Sequence, residues 1–171
     1  MFQNGKSSPA ERCPGRPGIA AATREPYGWR SDPTVPSFPD DRPILVFDGH
    51  CVMCSSFAQF ILRHDHRRHF RLLAAQTPLG VALYRHFGLD PVDYDTNILI
   101  EDGRAWLKAE SSIRVFERLG LPWSLVAVAR VLPRPVRDWL YGILARNRLR
   151  WFGARASCYR PDPSQADRFL T

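Results

Sequence analysis

The sequence contains few cysteines and no long hydrophobic run. Four cysteines in 171 residues are too few for the disulfide framework of a small secreted domain. The longest apolar stretch, Leu121 to Leu132, contains Arg130, and it is shorter than the roughly 18 residues that a membrane-spanning helix needs. We therefore predict a cytoplasmic chain without a transmembrane segment, in which a close pair of cysteines is more often reactive than structural.

Acidic residues are nearly missing from the C-terminal part of the chain. Between Arg130 and Arg160 the only acid is Asp138, against eight arginines, and this excess matches the net charge of +7. The arginines flank an apolar stripe at helical spacing, formed by Val136, Trp139, Leu140, Ile143 and Leu144. We predict an amphipathic helix that packs on the sheet with a solvated basic face. The alternatives are weak peripheral contact with anionic lipid and nucleic-acid binding, which we do not expect because no motif supports it.

Prolines are concentrated at the start of the chain, where eight of the fifteen lie within residues 1–43. That segment mixes basic and acidic side chains, which is not typical of a transit peptide, and it has no apolar core of signal-peptide length. We therefore predict that residues 1–42 form a Pro-rich, mostly disordered extension, and that the folded domain begins at residue 43.

Residues 43–120 alternate between short β-rich runs and longer runs with helical spacing. Strands are predicted at 43–47, 70–73, 97–101 and 104–108, and helices at 52–67, 77–87 and 110–119. The first helix connects two parallel strands, whereas the turn at Asp102-Gly103 makes the last two strands antiparallel. The predicted order is β-α-β-α-β-β-α, an α/β domain. A basic helical extension follows over residues 121–171, with helices at about 123–132 and 135–149 and an irregular tail.

Cys51 and Cys54 are separated by two residues and lie at the predicted start of the first helix. Unpaired backbone N–H groups at a helix N-terminus stabilise a thiolate and lower the pKa of a cysteine there. We therefore predict that Cys51 is the attacking thiol and the more exposed of the two, and that Cys54 resolves the mixed disulfide. His50 lies beside the nucleophile and, when protonated, would favour the thiolate further.

The same two cysteines have other interpretations. A structural zinc site needs four ligands, and the pair supplies two, so that Cys158 and a histidine such as His50 or His64 would have to complete it. A c-type haem would require histidine where Ser55 follows the second cysteine. We predict no metal and no cofactor. Cys158 is either a third thiol at the site or a free cysteine without a role.

Asp48 and Gly49 form the turn between the first strand and the first helix. Asp48 has two interpretations: an acid–base group for Cys54 during resolution, or an acceptor of backbone N–H groups at the turn. Gly49 is predicted to supply backbone geometry at the site, in the form of a positive φ that a side chain would resist.

The order Asp48-Gly49-His50-Cys51-Val52-Met53-Cys54 resembles the DCC family of predicted thiol-disulfide oxidoreductases, named for this aspartate and the two cysteines. The similarity extends over about residues 43–170, including Leu79-Gly80, the hairpin 97–103, the segments 132–135 and 146–153, and Cys158. The resemblance implies a thioredoxin-like fold and exchange with protein or low-molecular-weight thiols and disulfides. The stretch Tyr94-Asp95-Thr96-Asn97 departs from ordinary thioredoxins, because it lacks the proline that precedes their third strand.

The motif favours a thiol-disulfide oxidoreductase over functions from two other classes. One is a non-catalytic thioredoxin-like binding module whose basic helices dock to a membrane or a protein. The other is a metal-binding protein that uses the two cysteines. The redox potential of the pair distinguishes the first alternative from the oxidoreductase, and metal analysis of protein purified without chelator tests the second.

Overall fold

A five-stranded sheet forms the centre of the protein. It is seen in a computed structural model in which residues 25–155, 159 and 162–170 are described. The strands are β1 (Ile44–Phe47), β2 (Arg71–Ala74), β3 (Ile98–Glu101), β4 (Arg104–Leu107) and β5 (Phe169–Leu170). Their order across the sheet is β4-β3-β1-β2-β5.

The pairing of the strands follows the predicted connections. Strand β1 runs parallel to β2 and antiparallel to β3, and β3 forms a hairpin with β4 through Asp102 and Gly103. From Ile44 to Leu119 the elements come in the order β-α-β-α-β-β-α. The predicted thioredoxin-like α/β fold is therefore confirmed.

Four α-helices and three 3-10 helices accompany the sheet in the described part of the chain. The α-helices are α1 (Val52–His64), α2 (Pro78–His86), α3 (Lys108–Leu119) and α4 (Arg134–Phe152). The 3-10 helices are Gly28–Ser31, Trp123–Val131 and Pro163–Arg168, so the helix predicted at 123–132 is a 3-10 helix. Helix α2 begins as its sequence indicates, because the Thr77 hydroxyl accepts the N–H of Gly80 at 3.1 Å and Pro78 opens the first turn.

Alternating side chains of β1 divide the core into two layers. Ile44 and Val46 belong to the cluster beneath α2, whereas Leu45 and Phe47 belong to the cluster beneath α1. All four side chains are fully buried. The α1 cluster also contains both cysteines of the C-x-x-C pair, so the candidate site is part of the core.

Residues 25–42 pack against the domain. Trp29 is buried, its ring contacts Phe38 and Phe87, and its Nε1 donates to Asp40 at 3.1 Å. Burial of a large aromatic side chain stabilises an ordered segment against the loss of chain entropy. The prediction of disorder is therefore wrong for residues 25–42, and the rest of the predicted extension, residues 1–24, lies outside the described residues.

The C-terminal end also joins the sheet. Strand β5 pairs in parallel with β2, and Arg168 forms a buried ion pair with Asp65 at the end of α1. Asp65 additionally accepts the N–H groups of His69 and Phe70 at 3.0 and 2.9 Å, so the buried carboxylate is satisfied. The predicted irregular tail is wrong for residues 163–170, because a two-residue strand is too short to show a periodic pattern.

Helix α4 packs on the domain through a different face from the predicted one. Trp139 and Leu140 of the apolar stripe are 61% and 48% exposed, whereas Ala145 and Arg148 are buried. The prediction that the stripe packs on the sheet is therefore wrong for Trp139 and Leu140. The physical reason is that buried polar contacts of Arg148 orient the helix.

Candidate redox site

The C-x-x-C pair caps helix α1. Cys51 is the N-cap residue, with an extended backbone, and its Sγ accepts the N–H of Cys54 at 3.3 Å. Both cysteines are free thiols and both are buried. The pair thus occupies the helix start that the sequence indicates, with both sulfurs in the first turn.

The two thiols differ in their affinity for a proton. A hydrogen bond from the Cys54 thiol, helped by the Cys54 N–H, lowers the pKa of Cys51 to about 6 against the opposing effect of burial. The same bond between the thiols raises the pKa of Cys54 far above its ordinary value, and burial adds to the rise. The asymmetry favours the thiolate on Cys51 and the protonated thiol on Cys54.

A C-terminal strap, residues 153–155 with Tyr159, crosses the N-terminus of α1. The strap forms an isolated antiparallel bridge with Cys51. Its backbone N–H groups donate to the carbonyl groups of Gly49 and His50 at 2.9 and 2.7 Å. Cys51 is 0% exposed, against 4% for Cys54. The prediction that Cys51 is the more exposed thiol is therefore wrong.

Arg148 brings a positive charge to the buried pair from helix α4. Its Nη2 lies 3.5 Å from Oδ2 of Asp48, and its Nη1 donates to the carbonyl of Ala145 at 2.7 Å. Burial alone would lower the pKa of Arg148, but the nearby ionisable groups of the cysteine pair, Asp48 and Asp93 raise it above its ordinary value. The guanidinium in turn favours the Cys51 thiolate. The sequence alone did not single out Arg148 among the eight arginines of its region. The only sequence signal for Arg148 was the resemblance of the segment 146–153 to the DCC family.

Asp48 is buried at the end of β1, and both its oxygens have partners. Oδ1 accepts the N–H of His50 at 2.9 Å and the Nε2 of Gln76 at 2.7 Å, while Oδ2 faces Arg148. The interpretation of Asp48 as an acceptor of a backbone N–H at the turn agrees with these contacts. Its negative charge also disfavours a thiolate on either cysteine.

Gly49 and His50 contribute through their backbone. Among the described residues, the glycines with a positive φ are Gly88, Gly103, Gly120 and Gly153. The positive φ predicted for Gly49 is therefore wrong. Gly49 instead donates its N–H to Gln76 at 3.0 Å, and its carbonyl accepts the Ser55 hydroxyl at 3.2 Å. The residue His50 is exposed at the surface.

A comparison with known families shows where this arrangement belongs. The sequence profile of the DCC1-like thiol-disulfide oxidoreductases matches residues 45–154. This chain belongs to that family. The matched range contains Asp48, the C-x-x-C pair and Arg148, and membership supports a thiol–disulfide redox function in general terms.

Two DCC1-like relatives are similar over most of the chain. The uncharacterized protein YuxK of Bacillus subtilis (strain 168) is 37% identical over 127 residues, which cover 74% of this chain and 93% of YuxK. The DCC family protein At1g52590, chloroplastic, of Arabidopsis thaliana is 32% identical over 136 residues, which cover 79% of each chain. No solved structure matches this chain.

The described part of this DCC1-like chain contains no group of three or more His, Cys, Asp or Glu side chains that could hold a metal ion. His64, considered above as a ligand, contacts the rings of Phe60 and Trp123 at the far end of α1. Cys158, the possible third thiol, lies outside the described residues. No helix within residues 25–155 and 162–170 is long and apolar enough to cross a membrane.

Proposed function

We propose that this DCC1-like protein carries out dithiol–disulfide exchange, with Cys51 as the attacking thiolate and Cys54 as the resolving thiol. The observation that supports the proposal is the asymmetry of the pair: the pKa of Cys51 is lowered to about 6, and that of Cys54 is raised. The thiolate is the form that attacks a disulfide. Its partners in this proposal are protein or low-molecular-weight thiols and disulfides.

The exchange proceeds in two steps. The Cys51 sulfur attacks one sulfur of the substrate disulfide, forms a mixed disulfide and expels the other sulfur as a thiolate. Cys54 then loses its proton, attacks the Cys51 sulfur and expels the second substrate thiolate. The protein changes from dithiol to disulfide, and the substrate gains the two electrons. The reverse sequence reduces the protein.

Asp48 and Arg148 act beside the pair in this proposal. Asp48 accepts the proton that Cys54 loses in the second step, while Arg148 stabilises the thiolate of the resting dithiol. Because the strap covers Cys51, a substrate reaches the thiolate only when the hydrogen bonds from the strap to the turn before α1 open. His50, exposed in that turn, stays a predicted second source of positive charge when it is protonated.

Trapping of mixed disulfides tests the proposed exchange. Cys54→Ser removes the resolving thiol, so partners should accumulate as disulfide-linked adducts, whereas Cys51→Ser should accumulate none. Non-reducing gels followed by mass spectrometry separate protein partners from small thiols. If neither variant forms adducts in cells, and the wild-type pair shows no two-electron redox midpoint in thiol buffers, the non-catalytic binding module becomes the better account.

We also propose a weak peripheral contact with anionic lipid, because α4 exposes aromatic and basic side chains together. Trp139 is exposed, and so are Arg146 and Arg150. At 3.6 residues per turn these three positions lie within about 40° of one another around the helix. Tryptophan beside arginine is typical of helices that lie in a lipid interface.

The 3-10 helix that precedes α4 in the chain also exposes apolar side chains. Leu125, Val128 and Val131 follow one another at intervals of three residues, which align on one face of a 3-10 helix. They are 63%, 67% and 84% exposed, so they form an exposed apolar ridge shortly before α4 in the chain. The cytoplasmic location stays a prediction; the Arabidopsis relative is named as chloroplastic.

A further inference from the structure

A cavity of about 430 Å³ lies between α1, α3, the 3-10 helix at residues 123–131 and α4. Cys54 forms part of its wall. Most of the remaining wall is apolar, including Phe57, Ile113, Phe116, Leu132, Leu140 and Leu144. The volume is within the range of pockets that hold small ligands or single side chains. The fold therefore places an apolar space beside one residue of the reactive pair.

The one charged side chain in this wall already has an acidic partner. Arg137 is the one charged residue among the described residues that line the cavity. Its Nη1 donates to Glu110 at 2.9 Å, and its Nε donates to the carbonyl of Leu132 at 3.1 Å. An anionic group in the cavity would find no unpaired cation, and burial of a carboxylate among apolar side chains is unfavourable.

Two uncharged polar side chains, Asn97 and Tyr141, also belong to the wall. The Tyr141 hydroxyl accepts the backbone N–H of Asn97 at 3.1 Å, which leaves the hydroxyl proton available for an acceptor. Asn97 is buried, and its side-chain amide is a second uncharged polar group at this wall. These groups suit a neutral carbonyl next to an apolar group, which is the chemistry of a peptide.

We infer that the cavity binds an uncharged apolar substituent of the substrate disulfide, such as the aromatic or aliphatic side chain next to a disulfide-bonded cysteine. The Cys54 N–H lies 3.3 Å from the Cys51 sulfur, so a group held beside Cys54 keeps its disulfide close to the thiolate. Electrons and protons move as in the exchange above, on which this inference rests. The cavity selects uncharged apolar disulfides over charged ones such as glutathione disulfide.

Matched substrates test the selection. Two peptide disulfides differ at one position beside the cysteine, which is phenylalanine in one and aspartate in the other. We expect the phenylalanine peptide to oxidise the wild-type pair at least about tenfold faster, because an apolar pocket favours the substrate that fills it. A small uncharged aromatic disulfide, run beside glutathione disulfide, shows whether the apolar group is sufficient without a peptide backbone.

Ala129 and Ala127 provide a matched pair of variants on the same 3-10 helix. Both residues are half-buried, but of the two only Ala129 lines the cavity. Ala129→Phe should fill the cavity and remove the preference for the phenylalanine peptide, whereas Ala127→Phe should keep it. The measured quantity is the ratio of the oxidation rates with the phenylalanine and aspartate peptides within one variant. A general loss of activity lowers both rates and leaves this ratio unchanged.

Non-reactive thioether analogues of both peptides separate the cavity from the chemistry. Fluorescence anisotropy should show tighter binding of the phenylalanine analogue, lost in Ala129→Phe. If that binding is seen while no disulfide oxidises the pair, the proposed exchange fails and the cavity stays supported. Equal rates and equal binding of the two peptides, or a preference that survives Ala129→Phe, would overturn the inference and leave the exchange intact.

Discussion

At the scale of single residues, the reactive pair is asymmetric because one thiol donates a hydrogen bond and the other accepts it. The Cys54 N–H donates to the Cys51 sulfur at 3.3 Å, and hydrogen bonding by the Cys54 thiol lowers the pKa of Cys51. Arg148 adds a positive charge that favours the thiolate, and the buried carboxylate of Asp48 opposes it. The reactivity of the pair therefore depends on contacts that single substitutions can remove.

The first prediction concerns the pH dependence of Cys51. We expect its alkylation rate to rise around a midpoint near pH 6, because the lowered pKa makes the thiolate dominant above that pH and protonation removes it below. The pKa of a free cysteine is about 8.5. In Cys54→Ala the donated thiol hydrogen bond is lost, so the midpoint should move to higher pH. Peptide mapping by mass spectrometry identifies the modified cysteine, and faster modification of Cys54 across the range would contradict the assigned roles.

The second prediction concerns Arg148. Arg148→Met removes the positive charge beside Asp48, which should move the Cys51 alkylation midpoint to higher pH and lower the melting temperature, since Asp48 loses its counter-charge. Arg146→Met is the matched control, because Arg146 is exposed on the same helix. The same alkylation assay and thermal unfolding measure both variants. Equal midpoints in the two variants would show that Arg148 has no electrostatic effect on the pair.

At the scale of elements, close backbone contact and buried polar contact decide where helices lie. The first turn of α2 approaches the end of β2, where a Cβ on Gly80 would lie 2.6 Å from the carbonyl oxygen of Ala74. Helix α4 is oriented by Arg148 rather than by its apolar stripe. The partner of Gly80 is only six residues away in the sequence, whereas Arg148 reaches Asp48 over 100 residues.

The third prediction compares two glycines. Gly80→Ala should lower the free energy of unfolding by about 1–3 kcal/mol, because the added methyl group meets the backbone of Ala74 and Ala75, which cannot move aside. Gly142→Ala is the control, since its Cβ would meet only the flexible end of Arg146 at 3.0 Å. That change should stabilise α4 by up to about 1 kcal/mol. Urea unfolding measures both, and a stable Gly80→Ala would contradict the close approach.

At the scale of the whole molecule, the positive charge and the exposed apolar residues lie in the same region. The net charge of +7 equals the excess of basic residues between Arg130 and Arg160. Part of this charge is neutralised internally, because Arg130 pairs with Glu110 and Glu117. The exposed Arg146 and Arg150 of α4 lie beside Trp139. Together these three side chains form the surface that we propose contacts anionic lipid.

The fourth prediction concerns this surface. We expect co-sedimentation with anionic vesicles at low salt and less with neutral vesicles. Each arginine near an anionic leaflet contributes about 1 kcal/mol, and screening over roughly 10 Å at 0.1 M salt weakens it. Trp139→Ala should reduce binding, whereas Val92→Ala, at an exposed apolar residue elsewhere, should not. Equal binding to both vesicle types, or no effect of Trp139→Ala, would leave a solvated structural helix as the better interpretation.

The sequence by itself determined the features that depend on near neighbours. The spacing of Cys51 and Cys54, the helix that starts at them and the order of strands and helices each follow from patterns a few residues long. The hairpin at Asp102-Gly103 and the parallel pair β1–β2 follow from turn chemistry and connection length. These local rules were sufficient for the fold class and for the location of the reactive pair.

Only the tertiary structure decided which distant residues complete the site. Arg148 lies 100 residues from Asp48, and the strap that buries Cys51 is equally remote, so no local pattern indicates either contact. The buried face of α4 was decided in the same way, because the helix carries apolar residues on two sides and packing selected the side with Arg148. Local sequence specifies elements and chemistry, whereas burial depends on the free energy of contacts between elements that meet only in the folded chain.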